Sequence, residues 1–208
     1  MTDFVLAHSP HGGSYTWEPV AELLRSRGHQ ATIVAYPVHA GAPFWPQHLS
    51  AIVRSIRDER TLVVAHSGAG PLLAPARALR PFRAVYVDAG FRKDARPAAG
   101  MSLVERGSGF TMVWANMDDL AELLPDADTR RRLIASMTPL PREHFAEGIP
   151  YHEPPDGSAY VLLSPPYAEP ATAARAKGWP VRELAGENHY LMLADPALVA
   201  DTLIALMR

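Results

Sequence analysis

Leu62-Val63-Val64-Ala65-His66-Ser67-Gly68-Ala69-Gly70-Pro71 is the stretch on which the reading of the fold turns. Unbroken apolar residues from Leu62 to Ala65 read as a short strand buried on both faces, since a strand with one wet face alternates. The run stops at Ser67, and a helix with proline in its first turn is expected to follow. A strand that enters a helix through so sharp a turn strains the backbone of the residue at the tip and lifts its side chain clear of the sheet. Strand and helix then pass closely, so the positions two before and two after the tip cannot carry bulk; here they are Ala65 and Ala69. A serine at such a tip is presented for nucleophilic attack. A Ser-Gly turn that merely opens a helix is the plainer reading, and this stretch alone does not separate the two.

Working outward, five more apolar runs stand at Phe4–Ala7, Ala31–Tyr36, Ala84–Val87, Tyr160–Leu163 and Val181–Leu184. Between them the apolar period becomes helical. Val20, Leu23 and Leu24 form one stripe, with Thr16 as N-cap and Gly28 as stop; Leu49, Ile52, Val53 and Ile56 form a second. Near the end, Asp195 is the expected N-cap and Pro196 the first helical residue, with Leu198, Val199, Leu203 and Leu206 facing inward. Strands alternating with helices predict an α/β, doubly wound, mainly parallel sheet of about six strands. The alternation breaks over residues 89–158, which offer no convincing strand, two short helices around Met117–Leu124 and Asp128–Met137, and Pro/Gly-rich connectors. Residues 1–88 and 159–208 are therefore read as the core, and 89–158 as a helical insert over one edge of the sheet.

Composition narrows the partners. The 208 residues are 48% hydrophobic and 20% charged, which is ordinary for a globular chain. The 20 Lys plus Arg nearly balance 22 Asp plus Glu, leaving a formal charge of −2 and no electrostatic footprint for nucleic acid or an anionic membrane. Cysteine is absent, which removes disulfides, thiolate metal sites and a cysteine nucleophile. Proline is the outlier at 20 residues, near twice the usual ~5%. Met1-Thr2-Asp3 runs straight into Phe4 with no basic segment, and no run nears the ~20 apolar residues of a membrane span, so a cytoplasmic protein is expected. The oligomeric state stays open between monomer and homodimer.

A serine hydroxyl is a poor nucleophile until a base takes its proton. Ala185-Gly186-Glu187-Asn188-His189-Tyr190, between the last strand and the last helix, supplies the candidate in His189. A loop there can swing over the C-terminal edge of the sheet toward Ser67. The other eight histidines, at 8, 11, 29, 39, 48, 66, 144 and 152, read as structural or solvated. His66 falls under the same bland reading. His8 and His11 lack the companions a metal ligand set needs, so no metal and no cofactor are expected. Phe44, Trp45, Met112, Trp114 and Tyr167 suit either a pocket wall or ordinary packing, and none is assigned.

Together these segments resemble the α/β-hydrolase superfamily over nearly the whole chain, and within it are most similar to small esterases of the methylesterase and hydroxynitrile-lyase type. Ala65–Ala69 resembles the nucleophile elbow, with alanines where glycines are usual. Leu6-Ala7-His8-Ser9, followed by Gly12-Gly13 and Trp17, resembles the His-Gly oxyanion segment, and Gly186 to His189 ahead of Asp195-Pro196 resembles the catalytic-histidine loop. The insert stands where the family carries its cap.

The resemblance implies an acid partner for the histidine. Its commonest position, the loop after the seventh family strand, is here Ser164-Pro165-Pro166-Tyr167, with proline where an aspartate is expected. Glu169 a few residues on is a weak substitute. The other family solution, used by some haloalkane dehalogenases, places the acid at the end of the preceding strand, where Val85-Tyr86-Val87 runs into Asp88. A carboxylate closing an apolar strand needs a cationic or hydrogen-bonding partner, and the histidine is one. Asp88 is favoured over Glu169. The resemblance also implies an oxyanion hole from the Gly68 N–H and a second N–H after the His-Gly pair. That second position holds Pro10, which has no N–H, so either the loop shifts until His11 N–H serves or the hole is incomplete.

The expected function is a serine hydrolase acting on a small to medium ester or thioester as its small-molecule substrate. Ser67 attacks, His189 relays the proton, and Asp88 orients the imidazole. A lyase or cyclase using the same pair without an acyl-enzyme is the alternative that Pro10 motivates. A non-catalytic ligand binder comes third.

Overall fold

Apolar runs without alternation are stable only where both faces of a sheet are covered. In a computed structural model of the protein, which describes residues 1–37, 41–92, 101–107, 109–114, 117–184 and 187–207, the six runs pair into one sheet, with the last of them, Val181–Glu183, a partly exposed edge strand. In chain order the strands are β1 (Asp3–Ala7), β2 (Gln30–Ile33), β3 (Leu62–His66) and β4 (Arg83–Val87), then a separate hairpin of β5 (Met101–Arg106) and β6 (Gly109–Trp114), then β7 (Ala159–Leu162) and β8 (Val181–Glu183). The sheet order is β2-β1-β3-β4-β7-β8, and every neighbouring pair is parallel. Winding reverses between β1 and β3. In open α/β sheets ligands bind beyond the C-terminal ends of the strands at that reversal, which is where the segments after Ala7 and His66 emerge.

Alternate residues of each strand feed two cores. Phe4, Leu6, Val64, Val85 and Val161 pack against α1 (Glu18–Ser26), α8 (Leu191–Ala194) and α9 (Pro196–Ala205). Val5, Ala7, Val63, Tyr86 and Tyr160 pack against α2 (Trp45–Ser55), α3 (Leu73–Leu79) and α7 (Ala168–Ala176). At ~25 cal/mol per Å2 of apolar surface, burial on two faces makes the central strands the stable frame from which the site is hung.

Several local expectations need correction. β2 stops at Ile33, so Val34 to Tyr36 lie outside the sheet. Thr16 does not cap α1: it closes a 3-10 turn, Ser14–Thr16, which delays the helix to Glu18, with Pro19 in its first turn. Gly28 ends that helix as expected, at φ +82°, a conformation that costs glycine little. In α9, Asp195 accepts from Leu198 N at 3.0 Å, but the inward stripe is Val199, Ala200 and Leu203, leaving Leu198 38% exposed. The reading of residues 89–158 as free of strands also fails. β5 and β6 form an antiparallel hairpin from Met101↔Trp114 to Arg106↔Gly109, closed at Gly107 with φ +58°. The Gly107-Ser108 pair between apolar-bearing runs is a hairpin signal that the surrounding Pro/Gly-rich connectors mask.

The two short helices are found as α4 (Met117–Leu123) and α5 (Ala127–Ser136), the latter capped by Asp126, which accepts from Thr129 N at 2.6 Å. Leu120, Leu124, Leu133 and Met137 join the α1-side core. After α6 (Arg142–Ala146), the Glu147 carboxylate accepts from Phe44 N at 2.8 Å and Trp45 N at 2.9 Å, capping α2 from across the molecule. Among the described residues no helix is long and apolar enough to cross a membrane. His39 lies outside the described residues.

Candidate active site

Ser67 sits at φ +54°, left-handed backbone that a residue with a Cβ rarely adopts. The strain is imposed by its surroundings. β3 ends at His66, and the chain winds through a 3-10 turn, Ser67–Leu72, before α3 begins, so the expected helix opens more tightly than an α-helix would. Ala65 and Ala69 are fully buried. Gly70 is a third obligatory small residue: a Cβ there would lie 2.4 Å from Gly90 O and 2.8 Å from Ala89 Cβ. Ser67 N donates to Asp88 O at 3.2 Å, tying the serine tip to the end of β4.

Asp88 follows β4 directly, at φ +41°, and is fully buried. Its carboxylate accepts from Leu163 N at 2.6 Å, from Ser164 N at 3.2 Å and from the Ser164 hydroxyl, and lies 3.0 Å from His189 Nδ1. These donors offset the cost of burying the group. The segment whose family acid is replaced by proline therefore supplies the hydrogen bonds that hold Asp88.

With Nδ1 directed at Asp88, the Nε2 of His189 is the ring nitrogen left for a second partner. Asn188 fixes the loop, donating to Leu123 O at 2.7 Å and accepting from Tyr190 N at 2.9 Å. His66, read as bland from sequence, is a working part of this frame. Its Nε2 donates to His189 O at 3.0 Å, and the two rings stand 4.4 Å apart. Burial, aided by the charge His189 can carry, holds the His66 pKa well below the usual value, so this ring stays neutral. Tyr167 packs its ring parallel to that of His189 at 5.0 Å, and its hydroxyl lies 3.2 Å from Ser67 Oγ. Among the described residues the Ser67 hydroxyl is hydrogen-bonded to Tyr167 and not to His189.

After β1, Gly12 N donates to Ser9 O at 2.8 Å, so the turn uses that donor, and Pro10 has none to give. Ser9 Oγ lies 3.0 Å from His11 Nδ1, and a Cβ placed on Gly68 would come within 2.6 Å of it. The Ser9–His11 turn thus packs directly against Gly68. Gly13 pins this turn to the insert, since a Cβ there would overlap the Ser136 backbone and hydroxyl at about 2 Å.

The structure brings Ser67, Gly68, Asp88, His189 and the Pro10–His11 turn together at the C-terminal ends of β3, β4, β8 and β1. It leaves Glu169 exposed in the first turn of α7. Gly186 and the side chains of Met112 and Trp114 lie outside the described residues; Phe44 is buried and packs edge-on against His144. Sequence reasoning missed Ser164, His66 and Tyr167. For Ser164 the signal was available, because an acid moved to Asp88 needs donors from the next loop; for His66 it was only nearness to Ser67, and for Tyr167 there was none. Such an array can move a proton from a hydroxyl to an imidazole backed by a carboxylate.

Comparison with solved structures gives whole-chain matches. Polyneuridine aldehyde esterase superposes with a TM-score of 0.71 at 18% identity, covering 100% of both chains. Tomato methylketone synthase I, complexed with 2-tridecanone, gives 0.71 at 18% identity, covering 99% of this chain and 97% of its own. An extracellular α/β-hydrolase from a Paenibacillus species gives 0.71 at 15% identity, covering 99% of each. No curated protein sequence matches. The model of the alpha/beta hydrolase family matches residues 4–202. With the strained serine, the parallel sheet and the match over nearly its full length, the chain belongs to the alpha/beta hydrolase family.

Proposed function

We propose that this protein is a serine hydrolase that cleaves a small to medium ester or thioester through an acyl-enzyme on Ser67. The observation that carries the reading is the 3.0 Å contact of His189 Nδ1 with the buried Asp88 carboxylate, beside a serine held at φ +54°. Ser67 Oγ attacks the carbonyl carbon as His189 takes its proton. Asp88 keeps the ring oriented and balances the imidazolium. Gly68 N–H, with a donor from the Ser9–His11 turn, receives the charge that develops on the carbonyl oxygen. His189 returns the proton to the leaving group, and water then frees the acyl group by the same steps in reverse order. The segment 89–158 acts as the cap over this site.

Turnover of a panel of p-nitrophenyl esters tests the reading directly. Ser67→Ala and His189→Ala are each expected to cut kcat/KM by ~10³-fold or more. Turnover that survives either substitution would refute it. A second reading is favoured by Pro10: chemistry without a tetrahedral oxyanion tolerates a weakened hole, so the pair could serve a lyase or cyclase. That reading predicts a reactive Ser67 without ester turnover.

A further inference from the structure

We propose that the Tyr167 hydroxyl is a catalytic group of this site, donating a hydrogen bond to the leaving-group oxygen as the tetrahedral intermediate collapses. The inference rests on the acyl-enzyme reading above and assigns a residue which that reading does not use.

The placement comes first. Tyr167 Oη is 3.2 Å from Ser67 Oγ, so the phenol touches the reacting atom. Its ring lies parallel to the imidazole of His189 at 5.0 Å, so the phenol reaches the serine from the base's side. The sheet order puts β1, with the Ser9–Gly68 flank, on one side of β3, and β7, from whose following turn Tyr167 projects, on the other. Carbonyl oxygen and leaving group must diverge from the tetrahedral carbon. With the oxyanion on the Gly68 side and the proton returned by His189, the leaving oxygen falls on the Tyr167 side.

The state of the phenol comes second. Burial raises the Tyr167 pKa above its usual value, more than the Ser67 hydrogen bond lowers it, so the group keeps its proton and has one O–H to give. In the free protein the two hydroxyls share one hydrogen bond, in which either can donate. Once Oγ is bonded to carbon it can only accept from Tyr167, and an ester oxygen accepts weakly, so the half-buried phenol O–H gains by turning to a stronger acceptor. The leaving oxygen then becomes the acceptor in reach, and it accepts best as negative charge grows on it. An interaction that strengthens toward the transition state lowers the barrier.

The proton and electron count is simple. As Oγ bonds to the carbonyl carbon, its proton passes to His189 and the π pair moves to the carbonyl oxygen. On collapse the π bond re-forms and the carbon–leaving-oxygen bond breaks. The released pair on that oxygen takes the proton from His189. Tyr167 keeps its own proton throughout.

A spacer role, in which the ring only props His189, is the competing explanation, and Tyr167→Phe separates the two because phenylalanine keeps the ring. The test compares kcat/KM of wild type and Tyr167→Phe on the ethyl and p-nitrophenyl esters of one acid. The variant is expected to lose about 10²-fold on the ethyl ester and less than about 3-fold on the p-nitrophenyl ester, whose leaving group needs little help. Fluorophosphonate labelling of Ser67 in the variant should keep pace with wild type. Equal losses on the two esters, no loss on either, or a wild type that cleaves the p-nitrophenyl but not the ethyl ester would each overturn the proposal alone. A wild type that turns over neither ester overturns the acyl-enzyme reading and this proposal with it.

Discussion

A side chain forced to φ +54°, with its hydroxyl on that of Tyr167, is what the single residue at 67 contributes. Asp88, at φ +41° and held by Leu163 N and both Ser164 donors, is equally constrained, so its role can be tested without moving the backbone. Asp88→Asn retains an acceptor for Leu163 N but loses the charge that balances an imidazolium. Its kcat should fall by ~10²–10⁴-fold with little change in melting temperature, while Glu169→Gln, on an exposed turn, should leave kinetics unchanged. Gly68→Ala is the second residue-scale prediction. Its Cβ would press on Ser9 Oγ from 2.6 Å, displacing the turn beside the oxyanion position, and kcat should drop by about 10²-fold with KM nearly constant. Ser67, His189 and Asp88 were legible in the sequence because each stands directly after an apolar run or in a loop before a capped helix. Tyr167 was not, because its partnership with Ser67 spans a separation of 100 residues and no local pattern encodes it.

At the scale of elements, tight packing decides which positions can change. Gly70 lies where the 3-10 turn after Ser67 crosses the chain leaving β4, and Gly13 lies where the turn after β1 meets α5. Gly70→Ala would set a methyl against Gly90 O, a backbone atom that cannot rotate away. Its unfolding free energy should fall by about 1–3 kcal/mol in urea denaturation. An unchanged midpoint would mean that the two segments are not in contact. The same scale explains what sequence pattern could and could not supply. Buried parallel strands announce themselves because both faces are apolar, and α9 because Asp195 and Pro196 mark its start. The β5–β6 hairpin was hidden because, among the described residues, it pairs with itself and with Leu140, outside the main sheet, so no continuous apolar run marks it.

For the whole molecule, the histidines set the pH response. His66 and His8 are both nine-tenths or more buried and both are held below the usual imidazole pKa by desolvation. The sign follows from linkage. Below about pH 6.5 the unfolded chain binds protons at these two positions while the folded chain does not, so stability falls as pH falls, by up to about 1.4 kcal/mol per pH unit for each histidine. Melting temperature should therefore be nearly flat from pH 7 to 8 and decline below 6.5, with a shallower decline in His66→Asn. A curve that rises on acidification would mean that these rings are protonated in the folded protein.

The most direct test of the central claim is the stoichiometry and position of fluorophosphonate attachment, read by intact mass and peptide mapping. One adduct per chain, located on Ser67, absent in Ser67→Ala and slowed by ~10²-fold or more in His189→Ala, is the expected result. No adduct on the wild type, or an adduct whose rate is indifferent to His189, would contradict it.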